Sequence, residues 1–331
     1  MLLMIPHRLS ATLYWKVQFR HCGDVDAIFS KNHCHRPPPT ALSSKTCSNM
    51  SPSIKLVPSS KLFVSEPDPS WFGNPGNPMS APSWTNSNWL KSRFHFSFAE
   101  YSSHHNQDFG VLRVMNDDLV QPNRGFGTHP HRDMEIITYI VEGELTHKDS
   151  MGTEETLSRG SIQFMTAGTG VRHSEHNLNK EKPLRFIQTW IKPGSYGLSP
   201  NYGSCSGDAS ERKGKLQHLV SNVMDPSTST PVEINQDCDA FATELAMGES
   251  VELDVPEGRM AYLLCVEGGV KLNDDTTLKR HDAAEITTAG GSGGPVKLEA
   301  TETEKVEDGS EVAHVLVFTM KQVTGAGRSD L

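Results

Sequence analysis

The chain has 331 residues, enough for two domains and a sizeable buried core. Its formal net charge of -9 argues against a basic nucleic-acid-binding domain, and no run of about 18 apolar residues predicts a transmembrane helix. The six cysteines are sparse and include no Cys-x-x-Cys pair, which indicates a reducing compartment without a disulfide framework.

The first 50 residues differ in charge from the rest of the chain. They hold six basic residues and two acidic ones, whereas the whole chain is acidic. An acid-poor start is typical of an organellar transit peptide, but Pro6 interrupts its apolar beginning. Two interpretations stay open: residues 1–50 are a transit peptide or disordered tail, or translation starts near Met50. The predicted location is cytoplasmic, or organellar if the transit peptide is genuine.

Residues 51–88 form a proline-rich segment with seven prolines. Proline fixes φ and lacks a backbone N–H, so an extended or irregular segment is predicted rather than a helix. The segment could wrap the folded body, since four aromatic side chains offer apolar anchors: Trp71, Phe72, Trp84 and Trp89. A loose linker is the alternative interpretation.

From Phe94 onward the sequence favours short β-strands. Phe94, Phe96 and Phe98 alternate with polar or small residues, as in a half-buried strand. Further strands are predicted over 111–114, 135–141 and 184–190. Short strands separated by glycine turns, without a long amphipathic helix, indicate a β-sandwich or barrel.

A faint internal repeat divides this region. Val141-Glu142-Gly143 is echoed 125 residues later by Val266-Glu267-Gly268, and each triplet follows an apolar stretch. Because this offset equals one small domain, two copies of one β-barrel are predicted. The polar residues 204–236 between the copies are interpreted as a connection, with a short helix near 216–224.

The clearest chemical signal is a pair of motifs with alternating ligands. His129 and His131 lie two residues apart, and His173 and Glu175 repeat this spacing about forty residues later. Side chains at i and i+2 share one face of a strand, so two neighbouring strands can aim four ligands at one point. Three imidazoles and one carboxylate suit a transition metal with positions left for water, substrate or dioxygen.

Other polar residues carry weaker signals. Glu135 follows His131 by four residues and is expected on the same face of the same strand, as a ligand or as the partner of one. Surface positions are expected for the histidines that lack partners in the sequence, namely His104, His105, His147, His218, His281 and His314.

These motifs resemble the pirin family of bicupins. The stretches 129–135 and 173–175 are similar to the two metal-binding motifs of that family. Similar stretches extend beyond the ligands, at 89–90, 94–98, 112–118, 125–128, 149–152, 166–170 and 188–191. The resemblance is closest to bacterial pirin-like proteins with quercetin 2,3-dioxygenase activity. It covers about residues 89–325 and is strongest over 89–203.

The resemblance implies an all-β fold of two tandem cupin barrels, each a double-stranded β-helix or jelly roll, after an irregular N-terminal extension. It implies a metal-binding cupin at 89–203, a connection at 204–236 and a second cupin at 237–325. Counting back from the repeated triplets, Asp254 and Pro256 stand where the first barrel has its histidine pair. The second barrel is therefore expected to lack a metal.

In the first barrel, the resemblance implies one divalent transition metal held by His129, His131, His173 and Glu175. Iron(II) is the favoured metal, while copper, nickel, manganese and zinc stay open. Glu175 would also act as the general base, which accepts the proton of the substrate hydroxyl. Four apolar residues are expected to line or back the pocket: Phe126, Ile136, Phe164 and Trp190.

The activity that the resemblance implies is oxidative ring opening of a flavonol such as quercetin, with dioxygen inserted and carbon monoxide released. The first alternative is a metal-containing regulatory protein or redox sensor without turnover, as animal pirins are transcriptional co-regulators. It would keep the same ligands and need a protein partner. The second is a different cupin enzyme, since one fold hosts many functions. Neither direct nucleic-acid contact nor a membrane is expected.

Overall fold

The computed structural model describes residues 51–75, 88–288 and 293–323, so the predictions for residues 1–50 and for Trp84 lie outside it. In the described ranges, helix is confined to α1 (Ala209–Arg212) and to 3-10 turns at Ser59–Lys61 and Pro69–Phe72. No helix in these ranges has the length and apolar character needed to cross a membrane.

The strands follow one another with short connections. The first twelve are β1 (Ser53–Val57), β2 (Phe63–Ser65), β3 (Leu90–Phe94), β4 (Leu112–Val120), β5 (Arg124–His131), β6 (Glu135–Glu142), β7 (Leu145–Asp149), β8 (Glu154–Leu157), β9 (Ile162–Thr166), β10 (Val171–Asn177), β11 (Leu184–Ile191) and β12 (Asn201–Cys205). The others are β13 (Gln217–Asn222), β14 (Val232–Ile234), β15 (Cys238–Leu245), β16 (Ser250–Val255), β17 (Arg259–Glu267), β18 (Gly269–Leu272), β19 (Thr276–Lys279), β20 (Ala283–Thr287), β21 (Gly294–Glu302), β22 (Glu304–Lys305) and β23 (Glu311–Lys321).

Four sheets build two barrels. The first barrel pairs a seven-stranded sheet, in the order β12-β9-β6-β11-β4-β3-β2, with a four-stranded sheet, β5-β10-β7-β8. The second pairs an eight-stranded sheet, β1-β20-β17-β23-β15-β13-β14 with β22 beside β23, with a four-stranded sheet, β16-β21-β18-β19. The all-β fold of two tandem cupin barrels is confirmed.

The repeated triplets occupy equivalent turns in the two barrels. Gly143 joins β6 to β7 with φ of 74°, and Gly268 joins β17 to β18 with φ of 69°. A Cβ at Gly143 would collide with the carbonyl of Pro183, and one at Gly268 with the carbonyl of Glu302. Both turns therefore need glycine for conformation and for space.

The interiors of the two barrels differ. A single apolar cluster of side chains such as Leu253, Leu263 and Leu298 fills the second barrel. The first barrel has two smaller clusters, one around Trp89 and one around Ile136. Polar side chains occupy the space between these clusters, and this polar centre is where the predicted ligands lie.

Two predicted elements are wrong. The strand expected over 94–98 ends at Phe94, because the chain bends there and Phe96 enters the core. The helix expected near 216–224 is strand β13, whose residues pair with β14 and β15. Burial of Leu219 and Val220 between sheets outweighs local helix propensity at that position.

The proline-rich segment packs along both barrels, so the linker alternative is wrong for residues 51–75. Strand β1 pairs with β20 of the second barrel, and β2 pairs with β3 of the first. We call residues 51–75 the strap. Beyond β2, the strap turns through the 3-10 helix Pro69–Phe72, which places Phe72 against the polar centre of the first barrel.

Candidate metal centre

The predicted histidines lie on two paired strands of the small sheet. Strands β5 and β10 are antiparallel, and His173 is directly opposite His129. His131 follows two residues along β5, on the same face. The three imidazole centroids are 4.6 to 4.7 Å apart. The i, i+2 spacing therefore brings three rings to one place, as predicted.

The facing nitrogens fit a shared cation. The Nε2 atom of His173 lies 2.9 Å from Nε2 of His131 and 3.1 Å from Nε2 of His129. A neutral ring nitrogen offers either one proton or one lone pair, so hydrogen bonding cannot satisfy both contacts. Two nitrogens bound at right angles to a metal, each at about 2.1 Å, would lie roughly 3.0 Å apart. The observed spacing matches this geometry.

Two of these imidazoles, those of His131 and His173, are kept in their ligating form. Burial, with the neighbouring imidazoles, lowers the pKa of both His131 and His173 to about 3. Both rings are therefore neutral at physiological pH. Metal binding requires neutral imidazole, so no proton must leave before a cation binds.

Glu175 lies beside this group and not fully within it. The ligand atoms of His129, His131 and His173 form one cluster, and those of His147, His173 and Glu175 form a second. The β5–β10 register shifts between His173 and Glu175, so Glu175 pairs with Phe126. This irregularity offsets the carboxylate from the histidine pair. Its role as a fourth ligand stays a prediction.

Neutral donors hold the Glu175 carboxylate. Its Oε1 accepts hydrogen bonds from Thr138 Oγ1 at 3.2 Å and from Gln163 Nε2 at 3.1 Å. Its Oε2 accepts a hydrogen bond from Gln188 Nε2 at 3.0 Å. The residue is only 3% exposed. A buried carboxylate surrounded by neutral donors calls for a compensating cation, which a metal bound to the histidines would supply.

The surface position expected for His147 is wrong. It is fully buried on β7, opposite Glu175 in the β7–β10 register. Its Nε2 lies 3.2 Å from Asp149 Oδ2, and its ring stacks on Tyr202 at a centroid distance of 4.6 Å. Asp149 lies two residues along β7, whereas Glu175 and Tyr202 come from other strands and are not revealed by the sequence around His147.

The prediction is also wrong for two histidines between the barrels. His314 is fully buried, with Nε2 2.9 Å from Tyr139 Oη and Nδ1 3.0 Å from Glu267 Oε2. His281 contacts Asp117 Oδ2 at 2.6 Å. Each pair joins distant parts of the chain, and these histidines belong to the inter-barrel interface.

Glu135 does not belong to the centre. The chain turns at Asp133, where φ is 51°, so Glu135 begins the next strand instead of continuing β5. Its carboxylate accepts hydrogen bonds from Thr166 Oγ1 at 2.8 Å and from Asn235 Nδ2 at 3.1 Å. The same-strand interpretation failed because the turn is only three residues long.

An aromatic cavity of about 210 Å³ opens beside His129 and His131. Its lining residues are Phe72, Phe98, Asn116, Asp118, Phe126, His129, Pro130, His131, Glu175, Gln188 and Trp190. Of the four apolar residues expected here, Phe126 and Trp190 line the cavity. Ile136 lies in the cluster against which Trp190 packs, whereas Phe164 belongs to the core between the barrels.

The strap supplies one wall of this cavity. The ring of Phe72 lies 6.4 Å from that of His129 and 5.3 Å from that of Phe126. The side chain of Asn74 then bonds to both backbone groups of Gly125, accepting from N at 3.1 Å and donating to O at 2.9 Å. Gly125 has no room for a Cβ, because β10 passes directly over it at Glu175 and His176.

The equivalent positions of the second barrel are apolar. Counting from the repeat matched Asp254 to the first histidine of the pair, but Asp254 is exposed on β16. The inward positions are Leu253 and Val255, so the predicted match is wrong by one residue. Leu253 pairs with Val296 on β21 in the way that His129 pairs with His173. The inward positions of β16 therefore carry aliphatic side chains, and the lack of a metal in the second barrel stays a prediction.

Two family models match the chain: Pirin over residues 79–191, and the quercetinase C-terminal cupin domain over residues 223–320. A pirin-like protein of Caulobacter vibrioides is 40% identical over 198 residues, which are 60% of this chain and 84% of that protein. The chain belongs to the pirin family. The resemblance predicted from the two motifs is confirmed, and the first match contains the three histidines and Glu175.

Two further pirin relatives bear on the site. A protein of Escherichia coli K12 named quercetin 2,3-dioxygenase is 39% identical over 188 residues, which are 57% of this chain and 79% of that protein. The crystal structure of the bacterial pirin YhhW from Escherichia coli in complex with nickel(II) superposes with a TM-score of 0.64. It is 28% identical and covers 82% of this chain and 100% of that chain.

Proposed function

We propose that this pirin is a metal-dependent dioxygenase that opens the ring of a flavonol-type phenolic such as quercetin. One observation carries the proposal: three imidazoles converge on one point, and two of them, His129 and His131, line an aromatic cavity that the Glu175 carboxylate also lines. The relative named quercetin 2,3-dioxygenase supports the substrate class. The overall reaction adds both oxygen atoms of dioxygen to the flavonol and releases carbon monoxide.

The metal would be held by His129, His131, His173 and Glu175. A divalent transition metal at this site would supply Lewis acidity toward the substrate oxygen and the redox chemistry that dioxygen requires. Iron(II) is the metal we propose, since histidine and carboxylate ligands with open positions suit oxygen-using iron sites. The nickel complex of the YhhW relative makes nickel the first competitor to test.

Glu175 would accept the proton of the flavonol 3-hydroxyl. Its carboxylate lines the cavity and is oriented by Thr138, Gln163 and Gln188. These donors leave the carboxylate with few alternative orientations, so a substrate hydroxyl would meet a positioned acceptor. A general base positioned within hydrogen-bond reach accelerates proton transfer by about 10² to 10⁴.

The aromatic walls would bind and orient the flat rings of the substrate. Phe72, Phe98 and Phe126 line the cavity beside the histidines. The ring of Trp190 meets that of His131 edge-on at a centroid distance of 4.9 Å. Such walls favour a planar aromatic ligand, and they also limit the water around the reacting atoms.

The test uses the full chain. Bound metals would be determined by elemental analysis, and quercetin loss and oxygen uptake would be followed after reconstitution with iron, nickel, copper or manganese. We expect stoichiometric metal and turnover, both lost in His131→Ala and retained in the exposed control His104→Ala.

Two outcomes would contradict the proposal. Stoichiometric metal without turnover of any flavonol would overturn the dioxygenase assignment and favour the regulatory alternative, in which a protein partner replaces the substrate. A chain that binds none of the four metals would overturn the metal centre itself.

A further inference from the structure

A second cavity of about 180 Å³ adjoins the metal cavity. Five residues line both cavities: Phe72, Phe98, Asn116, Asp118 and Phe126. The second cavity continues under the strap, where Trp71, Leu90 and Phe94 add apolar surface. The two spaces therefore share one wall of three aromatic rings and two polar side chains.

Asp118 is the acidic member of this shared wall. It lies on β4, opposite Ser92 of β3 and Phe186 of β11, and is 4% exposed. Asn116 is two residues away on the same face, and its Oδ1 atom is buried without a hydrogen-bond partner. Polar atoms placed in an otherwise aromatic wall are the usual source of specificity in a ligand site.

The surroundings of Asp118 determine its protonation state. Burial, with the acidic neighbours Asp117 on β4 and Glu175 on β10, raises the pKa of Asp118 to about 8, although the Ser92 hydroxyl acts in the opposite direction. The other titratable groups that line the two cavities are His129, His131 and Glu100. Near neutral pH, Asp118 is therefore mainly a carboxylic acid, able to donate a hydrogen bond.

We propose that both cavities form one site for substrates with two or more aromatic rings, and that Asp118 determines specificity by hydrogen bonding to a ring hydroxyl. This inference rests on the proposed function, which places the reacting hydroxyl and the adjacent carbonyl at the histidines. The outer ring then extends into the second cavity. Asp118 lines both cavities, so it would contact a hydroxyl oxygen of the substrate other than the reacting hydroxyl and carbonyl.

The choice of probes follows from this geometry. Quercetin carries hydroxyls on both outer ring systems, whereas 3-hydroxyflavone has the same ring frame with only the reacting hydroxyl and carbonyl. Asp118→Leu removes the donor and keeps a similar volume. Asp118→Asn keeps an N–H donor. Asp118→Leu leaves the buried Ser92 hydroxyl without this partner and should lower stability by about 1 to 3 kcal/mol, whereas Asp118→Asn keeps a polar partner there.

The experiment measures equilibrium binding of each flavonol to the metal-loaded full chain in the absence of oxygen. Quenching of tryptophan fluorescence reports binding, and the melting temperature of each variant is the folding check. In Asp118→Leu we expect the Kd for quercetin to rise at least about tenfold, the loss expected for one hydrogen bond of about 1.4 kcal/mol. The Kd for 3-hydroxyflavone should stay within about twofold. Asp118→Asn should remain within about threefold of wild type for both.

The outcomes separate this inference from the proposed function. If the wild type binds both flavonols and Asp118→Leu leaves their Kd ratio unchanged, the role of Asp118 is overturned and the proposed function stands. If Asp118→Asn loses as much quercetin affinity as Asp118→Leu, donation from Asp118 is overturned. If the wild type binds neither flavonol, the proposed function and this inference fail together.

Discussion

At the scale of single residues, the centre depends on side chains that meet across paired strands. His129 faces His173 because β5 and β10 are in register at that position. The same register shift that offsets Glu175 from the histidines places it among the three neutral donors. Glu175 can therefore be altered without changing the three histidines.

The first residue-scale prediction concerns Glu175→Gln, which keeps the shape of the side chain and removes the negative charge. Turnover of quercetin should fall by about 10² to 10⁴, the usual contribution of a general base. The melting temperature should change little, since an amide can still meet Thr138 and Gln188. Steady-state kinetics and calorimetry measure both effects.

Glu154→Gln is the matched control for this substitution. Glu154 is exposed on β8 and pairs with Lys148, so its loss should leave turnover unchanged. Wild-type turnover in Glu175→Gln would remove Glu175 from the mechanism.

The sequence predicted the histidine centre because its geometry lies within single strands. Spacing of two residues is strand geometry, and the pairs 129/131 and 173/175 both show it. His147 and Asp118 were missed as neighbours of the centre for the opposite reason. His147 meets its partners across the β7–β10 pairing, and Asp118 meets its partner across the β3–β4 pairing. The residues around His147 and Asp118 do not indicate which strands pair.

At the scale of elements, the strap completes the substrate cavity. Phe72 reaches the histidines because caps on both sides set the ends of the 3-10 helix Pro69–Phe72. The Asp68 side chain accepts a hydrogen bond from the Ser70 backbone before it, and Gly73 follows it with φ of 72°. The two bonds between Asn74 and Gly125 then fix the segment on β5. The sequence predicted the wrapping, but it did not predict that the strap borders the site.

Asn74→Ala should loosen this wall. Two hydrogen bonds are lost, each worth about 0.5 to 1.5 kcal/mol, so Phe72 should hold substrate less well. We expect the KM for quercetin to rise several-fold with little change in kcat, because Glu175 and the histidines are untouched. The exposed Thr277→Ala, on β19 of the second barrel, serves as the control. A fall in kcat with unchanged KM would contradict a binding role for the strap.

At the scale of the whole molecule, buried ionic groups join the barrels. Arg159 of the first barrel bonds to Glu244 and Glu267 of the second, at 2.8 and 2.7 Å. Arg185 bonds to Asp117 and also reaches the backbone oxygen of Val266 across the interface. The sequence predicted two barrels, but the residues that join them come from distant strands and carry no local signature.

This interface makes stability depend on pH. Burial lowers the pKa of His281 and of His314, outweighing their contacts with Asp117 and Glu267. In the unfolded chain the pKa of each of these histidines is about 6.5. Below that pH the unfolded chain binds protons that the folded chain does not, so the free energy of unfolding falls as pH falls.

The carboxylates act in the same direction at lower pH. Although burial opposes it, Arg185 holds the pKa of Asp117 well below its usual range. The stabilisation from Asp117 is therefore present above the unfolded pKa of about 3.9, and it is lost as pH falls through the lower folded value. Acid should weaken the interface progressively from about pH 6.5 downward.

His281→Asn tests this dependence. Asparagine tolerates the φ of 71° at this position and removes one titrating group. Lowering the pH from 7.5 to 5.5 should lower the melting temperature of both proteins. The decrease should be smaller in the variant by at least about 2 °C, which corresponds to somewhat under 1 kcal/mol in the free energy of unfolding. Calorimetry at several pH values measures it. The control His104→Asn, at an exposed position, should show the same decrease in melting temperature as the wild type. An equal decrease in His281→Asn would contradict the role of His281 in the pH dependence.

The route of the strap also sets an order of assembly during synthesis. Strand β1 is made before either barrel, yet its partner β20 lies more than two hundred residues later, at Ala283–Thr287. The first barrel can pair its own strands once Cys205 has left the ribosome, whereas the strap cannot be anchored at both ends until most of the chain exists. Contacts between such distant segments form late. The β1 end of the strap is therefore anchored last, and a chain terminated before β20 would keep the β2–β3 pairing and the Asn74–Gly125 bonds that hold Phe72 but would lack the β1 contact.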